Sequence, residues 1–332
     1  MKTHRLRLAP INTGFYTNGE PTLENINFFS ERSGRGIDLC MVGNIATTAE
    51  TVPNASTGIL SDNNSWASLA EKIREGGSIP AIQLSATLPG YKGQRTFVAH
   101  NTAAVITQFK ELFNQMSEHD WQALGGKFVQ AIKACWKHGF SHIQLHAAHG
   151  YAFSLVLDPE VNPDKRGWKA LISILDLLAS SHQHAASLRV SWHTGLPYDD
   201  IRQSRILELW KPFSGKIELD LSNGYYNLDK RHIYPPHQNG EAPFLGNAVT
   251  LATEFPEASF VVAGNIWNPY ETLKVIPSNL NISIGRALIA DPDYLLSEKN
   301  NKTSLMLCDD CGKCHFYSNG AKNVTCPVWT IK

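Results

Sequence analysis

Eight short apolar runs punctuate the chain: Leu6–Ala9, Ile37–Val42, Ile79–Leu84, His142–His146, Leu188–Ser191, Ile217–Leu221, Phe260–Ala263 and Ile282–Ile284. Each is followed by a loop and then by a stretch with helical spacing. Their apolar character reads as continuous, not alternating, which predicts strands buried on both faces of a parallel sheet. Between them, Phe128, Ala131, Ile132, Cys135 and Trp136 fall at i, i+3, i+4, i+7 and i+8 and mark one face of a helix over Phe128–Trp136. Gly139 is placed to stop that helix, and the next strand begins three residues on. Trp168–Leu178 and Ile201–Trp210 repeat the pattern.

Eight strand–helix alternations predict an α/β fold, a single (β/α)8 TIM barrel over residues 1–300. A doubly wound open sheet is the competing architecture, but no G-x-G-x-x-G follows a strand to support a Rossmann domain. The 332 residues suit one barrel, which commonly needs about 250 or more. Pro89–Gly93 and Tyr234–Gly246 read as long loops within it, not as linkers. Residues 301–332 are expected to form a cysteine-rich C-terminal extension packed on the barrel.

Composition narrows the function classes. Thirty basic and thirty acidic side chains balance, and no basic stripe suggests nucleic acid or a membrane surface. Lys2, Arg5 and Arg7 are not followed by the apolar core of a signal peptide. No stretch approaches the ~18 apolar residues that span a bilayer. The expectation is a cytoplasmic protein. Six cysteines in a chain of this size do not suggest a secreted disulfide framework, and four of them crowd into the last 25 residues, which points to a local site.

The densest chemistry is Gln144-Leu145-His146-Ala147-Ala148-His149-Gly150-Tyr151, where a barrel strand would end and such folds carry their active sites. Two imidazoles can polarise a bound carbonyl, and a phenol can protonate the carbanion-like carbon that hydride attack leaves. An isolated H-x-x-H-x-Y is more often one histidine capping a strand and a tyrosine packed on the rim. A zinc site is weaker still, because no third ligand lies nearby.

The surroundings carry the motif further. Leu8-Ala9-Pro10-Ile11-Asn12-Thr13-Gly14, Gln83-Leu84-Ser85, Arg189-Val190-Ser191, Ala263-Gly264-Asn265 and Ile284-Gly285-Arg286, with Ala290-Asp291-Pro292 behind, stand in order along almost the whole chain. Together with His146, His149 and Tyr151 they resemble the old yellow enzyme family of FMN-dependent reductases. The resemblance implies that His146 and His149 hold the substrate and that Tyr151 is the proton donor. It implies that Pro10, Ile11, Asn12 and Thr13 touch the flavin, that Gln83 meets its pyrimidine edge and that Arg189 lies near N1. Gly264, Asn265, Gly285 and Arg286 would hold the phosphate.

Each implied role has a physical basis. A fixed guanidinium compensates the negative charge of a reduced flavin. A glutamine amide donates and accepts at once. Glycines admit backbone N–H groups to a phosphate, and an arginine adds a bidentate charge. Singly, each motif has an ordinary explanation, such as a surface ion pair for the arginine or satisfied backbone groups for the glutamine. In order and at barrel spacing they support one another.

Two departures stand out. Asn12 replaces a threonine or cysteine that often tunes the flavin. Asn162-Pro163-Asp164-Lys165-Arg166-Gly167-Trp168 is a shortened, scrambled form of a longer family segment. That loop is expected on the substrate side and leaves the substrate class open.

Cys308, Cys311, Cys314 and Cys326 form C-x2-C-x2-C-x11-C. Three thiolates at this spacing can wrap one face of an iron–sulfur cubane, and the fourth can close it. The spacing resembles the segment of trimethylamine dehydrogenase and 2,4-dienoyl-CoA reductase, larger members of the family, and implies a [4Fe–4S] cluster. Zinc is the main alternative, and four reduced, unliganded thiols are the third. Cys40 and Cys135 sit in apolar runs and read as core.

The larger members continue into a dinucleotide-binding module, whereas this sequence ends at Lys332. Either an electron-donor protein or NAD(P)H acting directly is therefore expected to supply electrons. The expected activity is NAD(P)H-dependent reduction of a carbonyl-conjugated C=C bond in a small-molecule substrate. Two alternatives stay open: amine oxidation with electrons leaving through the cluster, and an electron-transfer or assembly subunit without turnover of its own. A homo-oligomer is also left open.

Overall fold

The structure is a computed structural model that describes residues 6–299 and 308–330. Its barrel strands are β1 (Leu6–Ile11), β2 (Leu39–Ala46), β3 (Ile79–Ser85), β4 (His142–Ala147), β5 (Ala185–His193), β6 (Ile217–Asn223), β7 (Phe260–Ala263) and β8 (Leu280–Ile284). Neighbours in this order pair in parallel, and β8 pairs with β1 to close the barrel. All eight predicted strands are present and the open-sheet alternative is gone. The expected boundary at residue 300 and the following residues up to 307 lie outside the described residues.

The helix predicted over 128–136 starts ten residues earlier, at Glu118, and runs to Lys137. Its start is a capping box: the Ser117 hydroxyl accepts the Asp120 N–H (3.2 Å) while the Asp120 carboxylate accepts the Ser117 N–H (2.9 Å). Gly139 ends it in the left-handed region at φ 89°, as expected. The other two predicted helices are Trp168–Ser180 and Asp199–Trp210. Cys40 and Cys135 are core residues.

The continuous apolar reading of the strands is corrected. In β4, Ile143 and Leu145 join the outer core with Leu188, Val190, Leu219 and Leu221 of the next two strands. The alternate residues are polar and bond to each other across the barrel. Arg7 donates twice to the Glu218 carboxylate, at 2.5 and 2.8 Å. His142 meets the Ser187 hydroxyl at 2.9 Å. Gln144 donates to Ser187 (3.0 Å) and to Asp220 (2.7 Å), and accepts from Gln83 (2.6 Å). Arg189 donates to both Asp220 oxygens at 2.9 Å and to the Ser222 hydroxyl at 3.0 Å. Among the described residues, Leu39, Met41 and Ala81 make a separate apolar patch. Burial raises the Glu218 carboxyl, but Arg7's charge and hydrogen bonds more than reverse this and bring it to about 2. A depressed carboxyl of this kind stabilises the fold above the ordinary carboxylate range, and that contribution fades as pH falls towards 2.

A second buried cluster pins the segment after β4. Asp158 accepts the N–H groups of Glu160 (2.9 Å) and Val161 (3.0 Å), Arg202 (2.6 Å) and the Tyr225 hydroxyl (2.7 Å). Asn162 then ties 162–166 by accepting the Arg166 N–H (2.9 Å) and donating to the carbonyls of Val156 (2.8 Å) and Arg166 (2.9 Å). Asp158→Ala would leave Arg202 buried with one carboxylate fewer and two backbone donors unmet. Urea unfolding is expected to show a loss of about 3–5 kcal/mol. A loss below about 1 kcal/mol would mean that the cluster does not hold this segment.

Candidate active site

At the C-terminal ends of the strands lies a cleft of about 1530 Å³, its open mouth included. Pro10, Ile11 and Asn12 reach it from β1 and the turn behind, Gln83 from β3, His146, His149 and Tyr151 from β4 and its loop, and Arg189 from β5. Gly264 and Asn265 enter after β7, Gly285 and Arg286 after β8. The sequence separated these residues by as much as 276 positions (286 − 10), and the barrel gathers them on one wall. Thr13 is the exception. It is buried off the cleft, where its hydroxyl accepts from Asn25 (2.8 Å) and from the Phe15 N–H (3.2 Å) and so shapes the turn after β1. The 162–168 segment does not line the cleft either, contrary to expectation, because Asp158 and Asn162 hold it elsewhere.

The two histidines form a relay whose tautomers follow from one backbone donor. The Ala148 N–H donates to His146 Nδ1 at 3.2 Å, so the ring proton of neutral His146 sits on Nε2. That proton bonds His149 Nδ1 at 3.2 Å, and His149 Nε2–H bonds the Ser222 hydroxyl at 2.7 Å. Ser222 is also held by Arg189. His149 takes φ 64°, an uncommon conformation for a non-glycine residue, with its N–H on Ser191 Oγ at 2.8 Å. Burial, followed by the Arg189 charge, lowers His146 to about 3. Burial, His146 and Arg189 likewise keep His149 well below the usual histidine range. Both rings are neutral donors.

Tyr151 packs on the His146 ring (4.8 Å) and among Tyr91 (5.7 Å) and Tyr226 (5.5 Å). Burial, then the neighbouring phenols, pushes its hydroxyl well above the usual range, so it carries its proton at any physiological pH.

At the base of the cleft one donor awaits a partner. Arg189 Nε is buried with no acceptor, and Gln83, whose amide nitrogen is spent on Gln144, lines the cleft beside it. Gly43 lets the strands close beside it, since a Cβ there would come within 2.8 Å of Gln83 Cβ. At the far end Gly264 and Asn265 have φ of 122° and 56°. Arg286 donates to the Pro235 carbonyl (2.5 Å) and to Asn265 Oδ1 (3.1 Å), and forms an ion pair with Asp310 from the cysteine segment. The guanidinium expected on a phosphate thus faces a carboxylate.

The cysteine segment forms part of the wall, through Cys314, His315, Tyr317 and Ser318. Cys314 feels Cys308, Cys326 and Cys311 electrostatically, and burial pushes its thiol up to about 12. Among the described residues, however, no group of three or more potential ligands is drawn into a metal-holding arrangement, and all six cysteines are free.

The sequence reading missed the aromatic and cationic lining: Tyr91, Tyr226, Tyr234, Trp267, His315 and Lys230. Four of them follow β3 or β6, and the rule that barrel sites form from the loops at strand ends could have pointed to them.

A closed (β/α)8 barrel with its polar and aromatic residues converging at this end defines a barrel enzyme. Residues 2–167 match the model of the NADH:flavin oxidoreductase / NADH oxidase family, and the chain belongs to that family. The NADH-dependent flavin oxidoreductase iliE of Hypocrea jecorina (strain QM6a) is 23% identical over 155 residues, 42% of this chain and 39% of that protein. Among solved structures, a 2-naphthoyl-CoA reductase complex superposes with a TM-score of 0.81 at 13% identity, covering 99% of this chain and 56% of that one. Histamine dehydrogenase from Rhizobium sp. 4-9 gives 0.75 at 15% identity, covering 97% and 49%. The chain spans about half the length of these two structures, which share its fold. The orphan Arg189 donor, the Gln83 amide and the glycines beside Arg286 suit a flavin mononucleotide.

No helix of the described residues is long and apolar enough to cross a membrane. For the relay, ¹⁵N-detected NMR of the histidine side chains should show His146 and His149 neutral, with Nε2 protonated, from pH 8 down to about pH 4. Protonation of either between pH 6 and 7 would contradict the arrangement, since a lowered pKa leaves the neutral form in place above it.

Proposed function

We propose that this chain is the FMN-binding barrel of an NAD(P)H-dependent flavin oxidoreductase that reduces a carbonyl-conjugated C=C bond. The observation that carries the reading is the convergence of Gln83, Arg189, Gly264 and Arg286 with His146, His149 and Tyr151 on one cleft.

In this reading Arg189 and Gln83 bind the pyrimidine edge, and Arg286 with Gly264, Asn265 and Gly285 takes the phosphate. Pro10, Ile11 and Asn12 flank the ring. Arg189 keeps its Asp220 partner, so its charge is tempered and its geometry fixed. When bound, FMN supplies hydride transfer between the nicotinamide and the substrate's β-carbon. His146 or His149 turns its Nε2–H from its protein acceptor to the substrate carbonyl and so draws electron density from the conjugated bond. Neutral imidazoles suit this task, because they donate without giving up the proton. Tyr151 delivers its hydroxyl proton to the α-carbon, and the high pKa of its buried site keeps that proton available. The product gains one hydride and one proton, and solvent restores the phenol.

Cys308, Cys311, Cys314 and Cys326 would hold a [4Fe–4S] cluster, with zinc the second choice. A cluster there would supply one-electron transfer beside the flavin, since Cys314 is in the cleft wall. That placement favours a second reading, a flavin/iron–sulfur dehydrogenase or electron-transfer subunit that works with a separate partner protein.

Titration of flavin-free protein with FMN, followed by flavin fluorescence, should show saturable binding that Arg286→Ala weakens by up to about tenfold, less than a full charge-assisted contact because Asp310 competes for the same guanidinium. Tyr151→Phe should keep FMN and its reduction by NAD(P)H but cut alkene reduction by ~10²–10⁴. An unchanged alkene rate would remove Tyr151 from the chemistry, and amine-dependent dye reduction without alkene turnover would favour the second reading. Protein purified without oxygen is expected to carry about four iron and four sulfide per chain, lost in Cys311→Ser. Stoichiometric zinc would instead make the site structural.

A further inference from the structure

Five cationic side chains are buried among the described residues: Arg7, Arg32, Arg189, Arg202 and Lys230. Arg7, Arg189 and Arg202 each sit against a carboxylate. Arg32 is held by the carbonyls of Phe28, Leu288 and Ile289, with Glu31 at 4.0 Å, and does not line the cleft. Lys230 is different. It is 3% exposed, it lines the cleft, and no carboxylate pairs with it.

Its ammonium donates to the Gln94 carbonyl and the Ser318 hydroxyl, each at 2.7 Å. The third donor reaches only the Arg95 carbonyl, at 3.5 Å, the limit of a hydrogen bond. Asp229, the preceding residue, is paired with Arg231 (2.6 Å), and Asp310 of the cysteine segment with Arg286. A buried positive charge without its anion is costly, and such charges gather where a ligand supplies the missing partner. Burial alone lowers the lysine to about 8, which leaves it mostly charged at neutral pH.

Rings connect this charge to the histidine relay. His149 touches Tyr226 (4.9 Å), Tyr226 lies by Tyr234 (6.3 Å), and Tyr234 packs at a tilt on His315 (4.1 Å). The ammonium lies 5.7 Å from the Phe97 ring, which itself meets His315 at 5.4 Å. A ligand held at the histidines and running along this aromatic wall would bring its distal end to Lys230.

We infer that Lys230 is an oxyanion subsite that takes a carboxylate or phosphate carried by the ligand at the end remote from His146 and His149. The inference deepens the proposed function and rests on that reading for the ligand's orientation. The anion comes from the substrate or from the pyrophosphate of the dinucleotide, and the two sources are separable.

The test uses FMN-loaded, oxidised protein and isothermal titration with 4-carboxycinnamaldehyde, with its uncharged methyl ester, and with the redox-inert 1,4,5,6-tetrahydro form of NADH. Wild type should bind the acid about tenfold or more tightly than the ester, the gain of one hydrogen bond to a charged group. Lys230→Met and Lys230→Gln should erase that ratio and leave ester affinity in place, while Lys230→Arg keeps most of it. If the ratio is unity but the two neutral variants weaken the dinucleotide by the same factor, the subsite belongs to the dinucleotide. Equal acid and ester affinity in wild type with dinucleotide binding unmoved overturns the inference. So does a loss shared equally by all three ligands, which would make Lys230 only a clasp between the 94–95 loop and the cysteine segment. The FMN titration and ester affinity judge the function reading separately, whereas the acid-to-ester ratio judges Lys230.

Discussion

The rest of the site hangs on the ion pair between Arg189 and Asp220 inside the barrel. A guanidinium cannot shed its proton to escape burial, so placing one on β5 obliges the neighbouring strand to present an anion. Asp220 is its register partner on β6 and supplies it. From this pair two branches fix the surroundings. Asp220 orients Gln144, which engages Gln83, and Arg189 orients Ser222, which receives the His149 proton. A buried pair of this kind adds little net stability over an apolar alternative. What it supplies is direction: the base of the cleft and the histidine relay share one origin.

That polar axis was written in the sequence and was misread. His-Ile-Gln-Leu-His at 142–146, Ser-Leu-Arg-Val-Ser at 187–191 and Glu-Leu-Asp-Leu-Ser at 218–222 alternate strictly. The apolar members face the helices, where every barrel must be apolar, and they alone sufficed to locate the strands. The alternate members face inward, where a barrel is usually filled with branched aliphatic side chains. A habit of the fold class outweighed the period of two in front of it. Strand positions and helix faces were legible because they depend on local spacing; the character of the interior depends on which side chains meet across strands.

The same division holds for the site. Residues at strand ends, from Gln83 to Arg286, were singled out by their resemblance to family motifs, and the barrel brings them to one cleft. Loop residues had only the general rule that barrel sites form at strand ends to point to them. Tyr226, Lys230 and Tyr234 lie in a stretch without period, and only packing against the 94–97 loop and the cysteine segment turns them to the cleft. Thr13 and the 162–168 loop show the converse, since resemblance to family segments suggested a place in the cleft. Thr13 bonds to Asn25 instead, and Asp158 and Asn162 bind the loop elsewhere.

The cysteine segment is tied to the flavin end by Arg286. Its guanidinium is divided among Asp310, Pro235 and Asn265, so one residue belongs to both the phosphate loops and the cysteine segment. A phosphate arriving there would not meet a bare cation. It would exchange one anion for another, and the gain is the difference between two charge-assisted contacts. Asp310 released in that exchange lies between Cys308 and Cys311, so its movement must be felt by the thiols on either side. His315, Tyr317 and Ser318 then continue the same segment along the cleft wall to Lys230. Whatever the four thiols bind, the geometry makes this segment part of the site, because Cys314, His315, Tyr317 and Ser318 build part of the cleft wall.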